Sequence, residues 1–459
     1  MTSRTLIGAA AVCAALIVTA CGEDATAPRP AEPGATELAA GRRHPDDSLV
    51  RLVRRLTAGR GITRLRSPQP VRPALVRLGR ALAFDRILSG NRDIACMTCH
   101  LPAHGTSDAR SLSIGQGATG AGPDRVHPTG AFIPRNAPPL FNLSAMQSLF
   151  WDGRVSRDAQ GGYHTPAGPY LTSGMTRTFE FGAVSALALF PVVNRAEMRA
   201  DDGNELAALP DDRPDLVWAA LMRRLGGIRE YRRLFEHAYP GQRFEGMTFA
   251  HASNAIAGFM VAELSFNDSP WDRFLGGNDR ALSSVQLRGA ANFMTARCSV
   301  CHSGPALTDN LFHNVAVAQI GPGLGDGDGF DDYGRERTTR NAAERYAFRT
   351  PPLRNVELTA PYGHDGAMVD LRDFVDHYSE SDIKLRSFDV DQLEALLRPS
   401  LRPNVEQILA TRDPLLEGVV FPPVVVDEVT EFMRTLTDPA ARNLRRLAPS
   451  RVPSGLAVD

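Results

Sequence analysis

The sequence predicts a mainly α-helical fold in two halves, and three observations carry that prediction. One five-residue stretch occurs twice, as Cys96-Met97-Thr98-Cys99-His100 and as Cys298-Ser299-Val300-Cys301-His302. Each copy follows a segment whose apolar residues recur at helical spacing. Around them the chain runs through Gly- and Pro-rich stretches, at 115–139 and 163–177, that no regular helix tolerates.

C-x-x-C-H is the attachment signature of a c-type haem. Two residues between the thiols let one short turn reach both vinyl groups, and the adjacent imidazole reaches the iron. A zinc or redox pair needs only the C-x-x-C, and no cysteine run of the iron–sulfur kind is present. The expectation is two cytochrome c-like domains, each carrying one covalently attached haem. Of the 6 cysteines, the other two, Cys13 and Cys21, fall in the leader, which leaves none for a disulfide.

Residues 1–20 have a short basic start and an apolar Ala/Leu/Ile/Val run, the pattern of a secretory signal peptide. Val18-Thr19-Ala20-Cys21 resembles a bacterial lipobox, which implies cleavage before Cys21 and acylation of its thiol. Gly22, where an Asp would favour retention at the inner membrane, points to a periplasmic protein anchored at the outer membrane. No later apolar run reaches the roughly 18 residues that span a bilayer, so the expected membrane contact is the lipid anchor only. Residues 21–46 are rich in Pro, Ala and Gly and read as a flexible tether. A net charge of −1 carries no nucleic-acid footprint.

The first cytochrome domain is expected over 47–245. Leu75, Leu78, Leu82 and Phe84 or Ile87 give a helix that Ser89-Gly90-Asn91 stops just before the first motif. The boundary is placed near Gly241–Met247. The mostly apolar 249–266 segment then opens a second domain over 246–445. Ser283-x-x-Gln286 reads as a capping box starting a helix through Val285, Leu287, Ala290, Phe293 and Met294 into Cys298. The Gly/Asp-rich 320–332 stretch is expected to be a solvated loop, since the EF-hand glutamate and spacing are missing. Residues 446–459 are expected to form a loose tail.

An ordered set of further motifs surrounds the two C-x-x-C-H copies. It comprises Arg135-Asn136-Ala137-Pro138, Phe150-Trp151-Asp152-Gly153-Arg154, Asn194-Arg195-Ala196-Glu197-Met198, Asp332-Tyr333-Gly334-Arg335, Thr350-Pro351-Pro352-Leu353-Arg354-Asn355 and Ala360-Pro361-Tyr362-Gly363-His364-Asp365-Gly366. From about Leu78 to Met433 the chain resembles the bacterial di-haem cytochrome c peroxidases and their MauG-type relatives.

The resemblance implies roles for particular residues. His100 would be the proximal ligand of an N-terminal, peroxidatic haem and His302 that of a C-terminal, electron-transfer haem. Glu197 matches the glutamate that moves protons during O–O cleavage, and burial beside a haem would raise its pKa. Gln160 resembles a distal glutamine, although a longer stretch separates it from Glu197 than in the family. His127 stands near the place of a displaceable distal histidine, with a solvent-facing loop histidine as the alternative. Trp151 matches the tryptophan between the haems. Asn136, Thr359 and Pro361 match positions that bind one Ca²⁺ through oxygen. Tyr378 lies where the peroxidases carry a methionine iron ligand and MauG-type enzymes a tyrosine, with His377 and Met368 as rivals. A phenolate favours ferric iron, whereas Met raises the potential.

Three functions fit these residues. The first is a periplasmic peroxidase that reduces hydrogen peroxide to water, with electrons from a small cytochrome c or cupredoxin passed through the second haem. The second is a MauG-type oxidase that uses peroxide to oxidise a protein or small molecule. The third is a di-haem electron-transfer cytochrome without peroxide chemistry. The resemblance also implies a homodimer.

Overall fold

The computed structural model describes residues 47–458. The expected signal peptide, Cys21 acylation site and 21–46 tether lie outside the described residues. The fold is mainly helical, and none of the five strands among the described residues exceeds three residues.

Two hydrophobic clusters organise the chain. The first is built on α2 (Pro73–Phe84) and α3 (Phe249–Glu263), the second on α1 (Asp47–Gly59), α4 (Ser284–Thr295) and α5 (Pro423–Arg434). In α2 the inward face is Leu75, Leu78, Gly79, Leu82, Ala83 and Phe84, which takes in the expected Leu75, Leu78 and Leu82 and ends at Phe84, before Ile87. The ring of Phe84 meets Phe259 of α3 edge-on, centroids 6.1 Å apart. The α4 capping box forms as expected: Gln286 N donates to Ser283 Oγ at 3.3 Å and Ser283 N donates to Gln286 Oε1 at 3.0 Å.

Both helix pairs cross at a glycine. A Cβ on Gly79 would lie 1.8 Å from Ala255 O, and one on Gly289 would lie 1.8 Å from Glu428 O. Only a residue without a side chain lets the backbones approach this closely. Each crossing fixes the helix that precedes a short Cys-to-Cys turn, Cys96–Cys99 or Cys298–Cys301.

The packing departs from the expected division at 245/246. Helix α3 is buried almost all round inside the first cluster, so it closes the first half instead of opening the second. Helix α1 goes the other way: Val50 and Val53 pack with Trp271, Leu287 and Phe293 in the second cluster. A helix apolar on every side can be buried against either half, and chain adjacency does not choose. The expected loose tail is also corrected. Leu447 and Val452 belong to the first cluster, Ser454 Oγ donates to Asp85 Oδ1 at 2.6 Å, and Arg451 pairs with Glu230 at 3.0 Å.

Two small sheets carry residues towards the centre. Strands β1 (Ser148–Leu149), β2 (Val155–Arg157) and β3 (Tyr163–His164) are antiparallel, and the β1–β2 turn holds Phe150 to Arg154. Strands β4 (Phe312–His313) and β5 (Phe348–Arg349) pair antiparallel, Phe312 opposite Arg349. Gly153, at φ 67°, sits against this second sheet: a Cβ there would be 2.3 Å from the Phe312 ring.

Gly79→Ala and Gly289→Ala are each expected to destabilise the fold by about 1–3 kcal/mol or more, as overpacking against backbone. Thermal unfolding should show a lower midpoint for both, and an unchanged midpoint would contradict the crossings.

Candidate functional site: two cavities around the C-x-x-C-H turns

One cavity is lined by Cys96, Cys99 and His100, the other by Cys298, Cys301 and His302. The two are built alike. His100 Nδ1 donates to Thr106 O at 3.1 Å, and His302 Nδ1 donates to Leu307 O at 3.1 Å. A carbonyl only accepts, so each ring holds its proton on Nδ1 and keeps the Nε2 lone pair for a metal. Both carbonyls belong to residues in the left-handed region, Thr106 at φ 62° and Leu307 at φ 56°. Burial lowers the His100 pKa and brings that of His302 down to about 4, so both imidazoles are neutral at neutral pH. Burial pushes the Cys96 thiol up to about 11.

The first cavity also holds Glu197. It lies in a single π-helical turn, Arg195–Arg199, a geometry that recurs at functional sites. Asn194 caps that turn, accepting from Ala196 N at 3.0 Å, and its amide donates to Glu197 Oε1 at 2.8 Å. Arg154 Nη2 is 3.9 Å from the same oxygen and stacks 3.7 Å above the Phe150 ring. Burial raises the Glu197 pKa against the opposing pull of Arg154 and Arg135.

Trp151 lines both cavities, as do Asn136, Pro139 and Arg349. Its indole donates to Asn136 O at 2.9 Å, and its own carbonyl accepts from Arg349 N at 2.8 Å. Beside it, Arg135 donates to Asp332 Oδ2 at 2.6 Å and Oδ1 at 2.8 Å, and to Asp152 Oδ2 at 2.6 Å. All three side chains are buried. Burial pushes Asp152 and Asp332 up, but the Arg135 guanidinium outweighs it and holds both below the usual carboxylate range.

In the second cavity Tyr378 is the residue that faces the space, while its rivals do not. His377 Nε2 donates to Val315 O at 2.8 Å, and neither it nor Met368 lines the cavity. Among the described residues the Tyr378 hydroxyl has no hydrogen-bond partner, and burial raises its pKa. Asn136, Thr359 and Pro361 line this same cavity.

Two expected site residues are placed elsewhere. Gln160 is exposed in the β2–β3 turn, which Asp158 closes by accepting from Gly162 N at 2.7 Å. His127 lines neither cavity; its Nδ1 accepts from Thr129 N at 3.2 Å, in a loop pinned where buried Arg125 donates to Ile114 O at 2.8 Å and Gly115 O at 2.7 Å. Both were expected from the resemblance; in this structure neither borders a cavity.

Comparison with known proteins settles the family. A model of the di-haem cytochrome c peroxidase family matches residues 73–280. The cytochrome c551 peroxidase of Pseudomonas aeruginosa is 30% identical over 357 residues, 75% of this chain and 84% of that protein. The chain belongs to the di-haem cytochrome c peroxidase family. It is a peroxidase-type oxidoreductase. The methylamine utilization protein MauG of Methylorubrum extorquens is 29% identical over 310 residues, 67% of this chain and 69% of that one. A MauG-like protein associated with microbial copper homeostasis shares the fold, with a TM-score of 0.58 at 24% identity over 84% of this chain and 95% of its own. So does the diheme peroxidase BthA of Burkholderia thailandensis, with a TM-score of 0.57 at 19% identity over 85% of this chain and 91% of its own.

Membership of a di-haem peroxidase family implies two haem c groups, and the cavities fit them. Each offers two thiols, a neutral imidazole and a largely apolar lining. Arg349 is the telling residue. It is buried, its guanidinium donates only to the Phe150 and Thr350 carbonyls, and it has no carboxylate partner among the described residues. A buried cation without a counter-charge suits the anionic propionates of a haem. Sequence reasoning passed over Arg349, Asn194 and Arg154; the last two stood inside the quoted motifs, but nothing in one sequence tells a polar motif residue from a catalytic one. The cluster of Cys301, Asp309 and His313 has metal-site spacing, but its sulfur belongs to the haem turn.

Because the folded pKa values of Asp152 and Asp332 lie below the unfolded value of about 3.9, their stabilisation is complete above about pH 4 and is lost on the acid side. Arg135→Ala is expected to cost about 3–5 kcal/mol near pH 7, the price of two unpaired buried carboxylates. Denaturant unfolding as a function of pH checks this, and the deficit should shrink below about pH 4.

Proposed function

We propose that the protein is a periplasmic peroxidase that reduces hydrogen peroxide to water in the first cavity, with electrons delivered through the second. The observation that carries this is Glu197: a carboxyl with raised pKa, held by Asn194, in the cavity that His100 also lines. His100 and His302 would hold the two irons, and Cys96, Cys99, Cys298 and Cys301 would hold the porphyrins. When bound, the haem iron supplies the redox chemistry of O–O cleavage.

The protein's own contribution is proton handling. Glu197 takes a proton from the nearer peroxide oxygen and returns it to the leaving oxygen, which departs as water. A carboxyl whose pKa is raised towards the working pH serves both transfers. Asn194 holds Oε1 in place, and Arg154 restrains the rise. Trp151, bordering both cavities, would be an aromatic route between them. The electrons would come from a small cytochrome c or cupredoxin. With His127 outside the cavity, this reading has a first iron that needs no reductive release of that histidine.

A second reading, a MauG-type oxidase acting on a protein or small molecule, is favoured by Tyr378. A phenolate ligand would lower the potential of the second haem. Asn136, Thr359 and Pro361 would offer a calcium ion neutral oxygens only, so water would complete its shell. The third, a cytochrome without peroxide chemistry, leaves the position of Glu197 unused.

Glu197→Gln is expected to lower peroxide turnover by a factor of about 10²–10⁴ with both haems retained. The acid limb of kcat/KM, expected above the ordinary carboxyl value of 4.5, should vanish in that variant. Unchanged turnover would refute the assignment. Tyr378→Met is expected to raise one haem potential in a spectroelectrochemical titration; unmoved potentials would remove Tyr378 from the iron. Oxidation of reduced cytochrome c separates the first reading from the second.

A further inference from the structure

Two tyrosines outside this chemistry form a line from the second cavity towards solvent. Tyr346 lines that cavity and is only 3% exposed. Its hydroxyl donates to Asp331 Oδ2 at 2.7 Å. Asp331 is buried too, and its Oδ1 accepts from Asn404 Nδ2 at 3.0 Å. The Tyr333 ring meets Tyr346 edge-on, with centroids 5.5 Å apart and planes at 85°. Tyr333 is half-buried, and the Arg345 guanidinium lies 4.0 Å over its ring, itself paired with Glu336 at 2.7 Å.

The local backbone is shaped around this pair. Tyr346 adopts φ 58°, a conformation that a bulky residue rarely takes without tertiary support. Its N–H donates to Tyr333 O at 3.1 Å, which ties the two residues together. A Cβ on Gly327 would lie 3.0 Å from Asp331 Oδ2 and 3.2 Å from the Tyr333 hydroxyl, so both oxygens border the same spot.

We propose that Tyr346 and Tyr333 carry oxidising equivalents from the second cavity to an aromatic one-electron donor at the surface, with Asp331 as the proton acceptor of Tyr346. A phenol gives up an electron readily only when its proton has somewhere to go, and an acceptor oxygen at 2.7 Å is within transfer distance. Tyr346 passes one electron to the peroxide-oxidised centre in the cavity and its proton to Asp331 Oδ2. Tyr333 then reduces the Tyr346 phenoxyl, which recovers the proton from Asp331, while the Tyr333 proton leaves to solvent. The surface donor returns one electron to Tyr333, and water returns its proton. Two such passages supply the two electrons that one hydrogen peroxide consumes. Trp151 leads from the second cavity inwards to the first; this pair leads outwards.

The proposal rests on the reading of the cavities as peroxide-reactive haem sites, and the test separates the two. The full-length protein carrying both haems is mixed with hydrogen peroxide, followed optically at the haems, and freeze-quenched for EPR and spin-trap mass spectrometry. The expected result is a haem spectral change together with a tyrosyl radical, and a trap adduct on Tyr333. Tyr346→Phe, which keeps the ring, should retain the haem response and lose the Tyr333 adduct. Tyr333→Phe should keep a radical on Tyr346. A normal haem response with no radical on either tyrosine, or an adduct that survives Tyr346→Phe, would overturn the relay. Haems that do not respond to peroxide would overturn the peroxide reading itself, and the relay with it.

Discussion

The arrangement of the whole site depends on one buried cation. Arg135 spans the 150s turn and the 330s loop by bonding Asp152 and Asp332 at once. Those segments carry Trp151 on one side and lead into the β5 residues Phe348 and Arg349 on the other. Taking three charged groups out of water is expensive, and the arrangement persists because each lost hydration bond is replaced by a short charge-assisted one. With this cluster in place, Trp151 is held by hydrogen bonds on its indole and on its carbonyl, and it becomes a shared wall of two cavities instead of an interface filler.

Around that centre the chain uses the same solution twice. A helix crosses its partner at a glycine, a short turn presents two thiols, and a carbonyl from a left-handed residue orients the histidine. The repetition explains how two halves of different sequence present the same ligand chemistry. The differences lie in what else reaches each cavity. The first receives a carboxylate on a π-turn and an arginine held over a phenylalanine. The second receives Tyr378 and Tyr346, phenols without a carboxyl at the cavity to match Glu197 except Asp413 at its rim, which His313 engages. The one cavity therefore carries a carboxyl and the other phenols.

The sequence by itself determined which ligand groups are on offer, two thiols and an imidazole in each of two short turns. Two C-x-x-C-H turns, the helix that leads into each and the capping box at Ser283 rest on local spacing, whereas Glu197 is singled out by the resemblance to the family. Tyr378, likewise singled out by the resemblance, borders the second cavity. Tertiary structure alone decided which helix closes which half, that the chain's end straps onto the first core, and that Gln160 and His127 lie outside the linings of both cavities. It also decided that Arg349 is a buried cation without an acid beside it, and that Tyr333 touches Tyr346. The physical reason is common to these cases. Spacing along a chain fixes what a turn or helix face can present, whereas burial and pairing depend on residues far away in sequence, whose approach no local pattern encodes.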